Sequence, residues 1–253
     1  MISTIKSLII WVGVLVLILI WLPMLALCRL LDPDPAHYYT GKLFRKLGKA
    51  ISKINPNWNI TISGSVDVND REPYIMVCNH LSQADIPLIS NLPWEMKWVA
   101  KKELFDVPFV GWMMKLAGDI SVDRRASNRR IATFKQARFY LERDCSIIFF
   151  PEGTRSRNGK LNRFAVGAFD LAISEGVPIL PMVIDGTQNT LPKKSWKFGM
   201  AKHIKLKILD PIDTTSYSRE DIKNVSKLAR SRIAEQLSEW RELPVEKVDN
   251  LSK

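Results

Sequence analysis

Apolar and polar positions divide the chain into stretches with different periods. From Ser7 to Cys28 no charged residue interrupts a continuous apolar run. As a helix rising ~1.5 Å per residue, a run of this length matches the hydrocarbon thickness of a bilayer. Trp11 and Trp21 lie within it. Asp32-Pro33-Asp34-Pro35 ends it, because proline lacks an amide donor and disfavours helical geometry in the residue before it. Over Thr40–Asn55 the pattern becomes that of an amphipathic helix: Leu43, Phe44, Leu47, Ile51 and Ile54 share one arc, and Lys42, Arg45, Lys46, Lys49 and Lys53 the opposite one. Two readings of this basic helix are open. Its apolar face packs on a domain core, or it lies in plane against anionic head groups, and both leave the lysines exposed.

From residue 56 onward, β-rich segments alternate with helical ones, which predicts an α/β domain with a mixed central sheet flanked by helices. Strands are expected at Asn59–Val66, Tyr74–Cys78, Lys97–Ala100, Ile120–Val122, Ser146–Phe150, Ile179–Ile184 and Ile204–Leu209. Helices are expected at Ile86–Asn91, Val107–Ala117, Asn128–Arg143, Ala165–Ser174 and Arg219–Leu243. Ser127 is placed to cap the third of these, and Gly176 to end the fourth in a left-handed turn. In the last, Ser218 and Asp221 have capping-box spacing, and Ile222, Val225, Ala229, Ile233, Leu237 and Trp240 form the stripe expected to be buried. The expected organisation is a membrane-anchoring segment at residues 1–55 and one α/β domain at 56–253.

Composition narrows the partners. A formal charge of +11 fits nucleic acid, an anionic membrane or an anionic substrate, and the apolar N-terminal run selects the membrane over nucleic acid. Leu25-Ala26-Leu27-Cys28 offers no convincing signal-peptide cleavage site, so the run is read as retained. Lys6 is the only basic residue before it, whereas Arg29, Lys42, Arg45, Lys46, Lys49 and Lys53 follow. The positive-inside rule then puts the α/β domain on the cytosolic face, with a bacterial inner membrane expected, whether the run spans the bilayer or lies in one leaflet. Three cysteines, Cys28, Cys78 and Cys145, are widely spaced in apolar sequence and give neither a disulfide framework nor a CxxC site. With three histidines and no His/Cys cluster, no metal is expected.

The candidate chemistry lies in three segments, each following an apolar strand, so their residues can converge at the carboxyl end of an α/β sheet. In Asn79-His80-Leu81-Ser82-Gln83-Ala84-Asp85, His80 can serve as general base, with Asp85 fixing its tautomer and offsetting the charge that develops. The arrangement is that of a triad whose serine is replaced by a substrate hydroxyl, and no enzyme nucleophile is required. The second segment, Gly118–Arg125, ends in Asp123-Arg124-Arg125, and the third is Phe150-Pro151-Glu152-Gly153-Thr154-Arg155-Ser156. Arg124 and Arg155 are assigned to a phosphate, because guanidinium forks bind its oxygens in pairs; ion pairing with Asp123 or Glu152 is the structural alternative. Glu152 can hydrogen-bond a substrate hydroxyl, and Gly153 lets backbone approach a ligand. Thr154 and Ser156 either join the site or only finish the turn. Trp94, Trp98, Phe105, Phe109, Val110, Trp112, Met113 and Met114 form core, an acyl-chain channel or a membrane-facing surface.

The order and spacing of these segments, followed by Val177-Pro178-Ile179-Leu180-Pro181-Met182-Val183-Ile184-Asp185-Gly186-Thr187, resemble the 1-acylglycerol-3-phosphate O-acyltransferases. Lys97–Phe105, with Pro108 and Gly111 following, reads like the same family. The resemblance implies an acyltransferase of phospholipid biosynthesis that acylates lysophosphatidate to phosphatidate. It implies a thioester of coenzyme A or acyl carrier protein as co-substrate, no other cofactor, and a substrate-binding role for Asn79, Arg124, Glu152, Gly153, Thr154 and Arg155. The Val177–Thr187 block is read as a buried strand in the site floor. The rivals are another lysophospholipid or glycerol 3-phosphate as acceptor, a lipid esterase, which the absence of a GxSxG elbow opposes, and a non-catalytic binder of anionic lipid.

Overall fold

The computed structural model describes residues 2–64, 71–123, 127–193, 195–199 and 203–251. Two helices come first, α1 (Ile2–Leu31) and α2 (Tyr38–Ile54). Seven strands follow, β1 (Asn59–Ser63), β2 (Ile75–Cys78), β3 (Met96–Lys101), β4 (Ile120–Val122), β5 (Ser146–Phe149), β6 (Ile179–Asp185) and β7 (His203–Ile208). Between and after them come α3 (Asp85–Ile89), α4 (Val110–Ala117), α5 (Ser127–Leu141), α6 (Gly167–Glu175), α7 (Ile222–Arg241) and the short α8 (Val245–Val248).

The strands form one mixed sheet in the order β1-β7-β6-β2-β5-β3-β4, parallel throughout except between β6 and β7. Central strands covered on both faces have no solvent side, which is why Ile75-Met76-Val77-Cys78 is an unbroken apolar run, buried at every position. In β7 the alternation returns: Ile204, Leu206 and Ile208 are buried, while His203 is exposed. One core layer lies beneath α6 and α7, where Val225, Ala229, Ile233 and Leu237 are buried against the sheet, with Ile222 and Trp240 partly buried beside them. The other holds Met76, Cys78, Leu88, Met96 and Trp98.

Local signals behave as their chemistry requires. Gly176 ends α6 at φ 65°, and Ser218 with Asp221 forms the capping box ahead of α7. The end of the predicted Asn59–Val66 strand and the side chain of Ser127 lie outside the described residues; Ser127 is the first residue of α5. The predicted helix at Val107–Ala117 begins only at Val110, after a turn of tighter helix at Lys102–Asp106. Gly111 permits the close packing of these two pieces, since a Cβ there would come within 2.3 Å of the Phe105 carbonyl oxygen.

The second helix requires a correction. Arg45, on the polar arc of α2, is buried and donates to Asp119 Oδ1 at 3.0 Å and Oδ2 at 3.2 Å. Asp119 also accepts from the backbone N–H of Trp98 at 3.0 Å. Beside this pair the buried Lys97 ammonium donates to Glu95 at 2.9 Å and to the Ala117 carbonyl at 2.9 Å. The sequence pattern put Arg45 with the lysines because a helical wheel does not show that a buried carboxylate waits on that side. The apolar arc is also occupied: Leu43, Leu47 and Ile51 pack with Leu25 of α1 and Met113 of α4, so α2 is clamped between α1 and the sheet domain. Lys46, Lys49 and Lys53 remain exposed.

Helix α1 lies along the domain on one side. Near its start Ser7 Oγ accepts the Phe198 N–H at 3.0 Å and Trp11 donates to the Trp196 carbonyl at 2.7 Å; near its end Leu25 is fully buried. The other side is an exposed apolar row that includes Leu8, Val12, Leu15, Leu19 and Leu27.

Candidate active site

The sheet order explains why two distant motifs meet. Strands β2 and β5 are parallel neighbours in the register Val77 to Phe149, so the chains leaving them run side by side. They carry His80 on one and Pro151-Glu152 on the other.

His80 is held at three points. Its Nδ1 lies 2.7 Å from Asp85 Oδ2, and its backbone N–H donates to Glu152 Oε1 at 2.7 Å. Its ring stacks on Phe150 with centroids 4.1 Å apart. Asp85 opens α3, is fully buried, and also accepts the Leu81 and Ser82 N–H groups at 2.8 and 3.0 Å. These donors pin the carboxylate, which in turn pins the imidazole with Nδ1 inward and Nε2 as the remaining ring nitrogen. The histidine side chain is 18% exposed, open enough for a substrate hydroxyl to reach it.

The Glu152 carboxylate has a structural task. Oε1 takes the His80 N–H, and Oε2 accepts from both the backbone and the side-chain nitrogen of Asn162, at 2.9 and 2.7 Å. Burial pushes its carboxyl above the usual range, against those hydrogen bonds. Three protein donors thus converge on the two oxygens, one on Oε1 and two on Oε2. Asn79 is buried, and its amide both donates to and accepts from Ile184 of β6, at 2.9 and 2.8 Å. It tethers the end of β2 to the neighbouring strand.

Gly153 has φ 68°, a conformation that favours glycine, and its N–H donates to the Phe150 carbonyl at 2.9 Å. Thr154 is exposed. Ser156 finishes the turn: its N–H donates to the His80 carbonyl at 2.8 Å and its hydroxyl to the Lys160 carbonyl at 2.7 Å. The Arg155 carbonyl accepts from Lys193 at 3.0 Å, which fixes the backbone from which the guanidinium extends. Arg124 lies outside the described residues. Asp123 lines a cleft of about 290 Å³ with Lys102, Ser121 and Gln136, beside the ends of β3 and β4. The block after Val177 is a buried strand, β6, as expected.

Burial also removes a rival nucleophile. Cys78, two residues before His80, is fully buried and its thiol is pushed well up by desolvation, so no thiolate is on hand. Sequence reasoning missed Asn162, Phe150 as the ring beneath His80, and Ser82. The Ser82 hydroxyl donates to the Leu191 carbonyl at 2.8 Å, tying the loop after the histidine to the segment that reaches α1 through Trp196 and Phe198. No spacing rule signals these contacts, since each joins segments brought together only by the sheet.

Residues 59–185 match the family model described as Acyltransferase. A chloroplastic 1-acyl-sn-glycerol-3-phosphate acyltransferase of Arabidopsis thaliana is 30% identical over 79% of this chain and 54% of its own length. The 1-acyl-sn-glycerol-3-phosphate acyltransferase of Haemophilus influenzae is 36% identical over 64% of this chain and 68% of its own. The chain spans a little over half of the first plant relatives, at 54% and 56%. The crystal structure of the 1-acyl-sn-glycerophosphate acyltransferase of Thermotoga maritima superposes with a TM-score of 0.80 at 27% identity, covering 94% of this chain and 96% of that one.

Proposed function

This chain belongs to the acyltransferase family, and from that premise we propose that it transfers a fatty acyl group from an acyl thioester to the free hydroxyl of a 1-acylglycerol 3-phosphate, giving phosphatidate. The observation that carries the reading is the 2.7 Å contact between His80 Nδ1 and Asp85 Oδ2, which leaves Nε2 to accept a proton. The acceptor oxygen attacks the thioester carbonyl as its proton passes to Nε2. The tetrahedral adduct then collapses, the carbon–sulfur bond breaks, and the proton leaves with the thiol. Asp85 stabilises the imidazolium between these steps. The balance needs no enzyme nucleophile, metal or further cofactor.

Arg155, with Arg124, holds the acceptor phosphate, while Gly153 and Thr154 shape the turn beneath it. Helix α1 attaches the enzyme to an anionic membrane with its catalytic domain on the cytosolic face, in bacteria the inner membrane. Contacts of α1 with the domain near both of its ends support in-plane attachment over a span. Purified full-length protein should be assayed with acyl-coenzyme A and with acyl-acyl carrier protein. Acceptors should include lysophosphatidate, other lysophospholipids and glycerol 3-phosphate. Transfer to lysophosphatidate at the highest kcat/KM is the expected result, and preference for another acceptor would replace it.

A further inference from the structure

We infer that Leu104, Val107, Phe109 and Trp112 form a second lipid-inserting element, separate from α1 and built into the catalytic domain at the mouth of its site. These four side chains are 43%, 42%, 36% and 51% exposed, an unusual concentration of large apolar groups on one short connection. The connection follows β3, so it stands at the carboxyl end of the parallel strands, the end that carries His80 and Glu152.

The backbone presents the two aromatics at a cost. Phe109 has φ 62° and ψ −61°, and the Val110 N–H donates to the Pro108 carbonyl at 2.7 Å across it. That is a γ-turn of the rare, strained hand at a residue with a bulky side chain. Relaxation into an ordinary helical start is opposed by Pro108 and by the tight seat of Gly111 against Phe105. The turn sets the partly exposed Phe109 ring edge-on to Trp112 at 5.3 Å.

A lipid surface is the occupant that the surroundings favour. Helix α4 packs on α1 through Val110, Met113 and Leu116, so the Phe109–Trp112 pair belongs to the same layer as α1, whose hydropathy already calls for a non-aqueous neighbour. Exposed Lys101, Lys102 and Lys115 flank the element and outnumber the exposed acids of the same stretch, Glu103 and Asp106. Aromatic rings ringed by lysines suit the boundary between acyl chains and head groups. This inference extends the membrane attachment proposed above but does not depend on the reaction.

The test uses full-length protein and vesicles of phosphatidylglycerol and phosphatidylcholine, with and without dibrominated chains that quench nearby tryptophan, and no substrates. Trp112→Phe should lose a clear part of the quenchable fluorescence. Phe109→Gly, which suits the positive φ and so preserves the fold, should combine with Trp112→Ser to weaken vesicle binding by about tenfold or more. Equal quenching in wild type and Trp112→Phe would overturn the inference. So would unchanged vesicle affinity in the folded double variant, or variants that alter only self-association in sedimentation. Failure of acyl transfer in detergent would remove the proposed reaction and leave these readings standing.

Discussion

Glu152 Oε1 accepts the backbone N–H of His80 at 2.7 Å, so one carboxylate holds the main chain of His80 while a second, Asp85, holds its ring. In Glu152→Gln the amide oxygen can still accept from His80, but its NH2 then faces the two Asn162 donors. The unpaired donors should destabilise the fold by about 1–3 kcal/mol, and the shift of the residue 152 turn away from Asn162, which carries the His80 backbone with it, should lower kcat by about 10²-fold with little change in KM. The pH dependence supplies a separate check. Burial raises the Glu152 carboxyl in the folded state, so its contribution to stability is full at acid pH and is lost as pH rises through the folded value. Denaturant unfolding from pH 4 to 8 should show that loss in the wild type and not in Glu152→Gln.

His80→Ala should lower turnover by about 10²–10⁴-fold, the usual contribution of a positioned base, while the far-ultraviolet circular dichroism stays unchanged. Asp85→Asn should be comparably impaired, because the amide cannot compensate the imidazolium. Retention of more than about a tenth of wild-type turnover in His80→Ala would remove the general-base role.

Arg155→Lys should impair activity although it keeps the charge, because an ammonium cannot form the paired bonds of a guanidinium. Arg155→Ala should lose discrimination between lysophosphatidate and a monoacylglycerol. Steady-state kinetics on both acceptors decide the matter: equal losses on the two would assign Arg155 a structural role.

Arg45→Met should destabilise the protein by about 3–5 kcal/mol, since it strands the buried Asp119 without its cation. Adding Asp119→Asn should restore part of that loss. A thermal shift measured in detergent, with the two changes made singly and together, gives the coupling.

Much of the architecture is legible in the sequence because burial writes itself into composition. Ile75–Cys78 is apolar at every position since both faces of β2 are covered, and β7 alternates because its second face is only partly covered, by α7 against Lys205 and Lys207. The paired His80 and Asp85 are legible for a local reason: a five-residue offset lets a strand-end loop and the first residue of α3 fold back on each other. Arg45 is misplaced because its side chain is committed to Asp119, far away in sequence, and nothing in the sequence marks Ile184 and Asn162 as the protein partners of Asn79 and Glu152. Polarity alone does not say whether a side chain serves a ligand or the fold. The strained turn at Phe109 was equally silent, since nothing in the residue type announces a positive φ.

The segment ending in Trp196 and Phe198 joins α1 to the loop after His80, through Ser7 and Trp11 at one end and Ser82 at the other. For anyone trimming this protein to make it water-soluble, the apolar helix is therefore a wall and not a leash. Cutting it away removes the partners of Trp196 and Phe198 and slackens the brace on the histidine loop. A soluble form is better reached by replacing the outward row of α1, Leu8, Val12, Leu15 and Leu19, with polar residues while leaving Ser7, Trp11 and Leu25 in place.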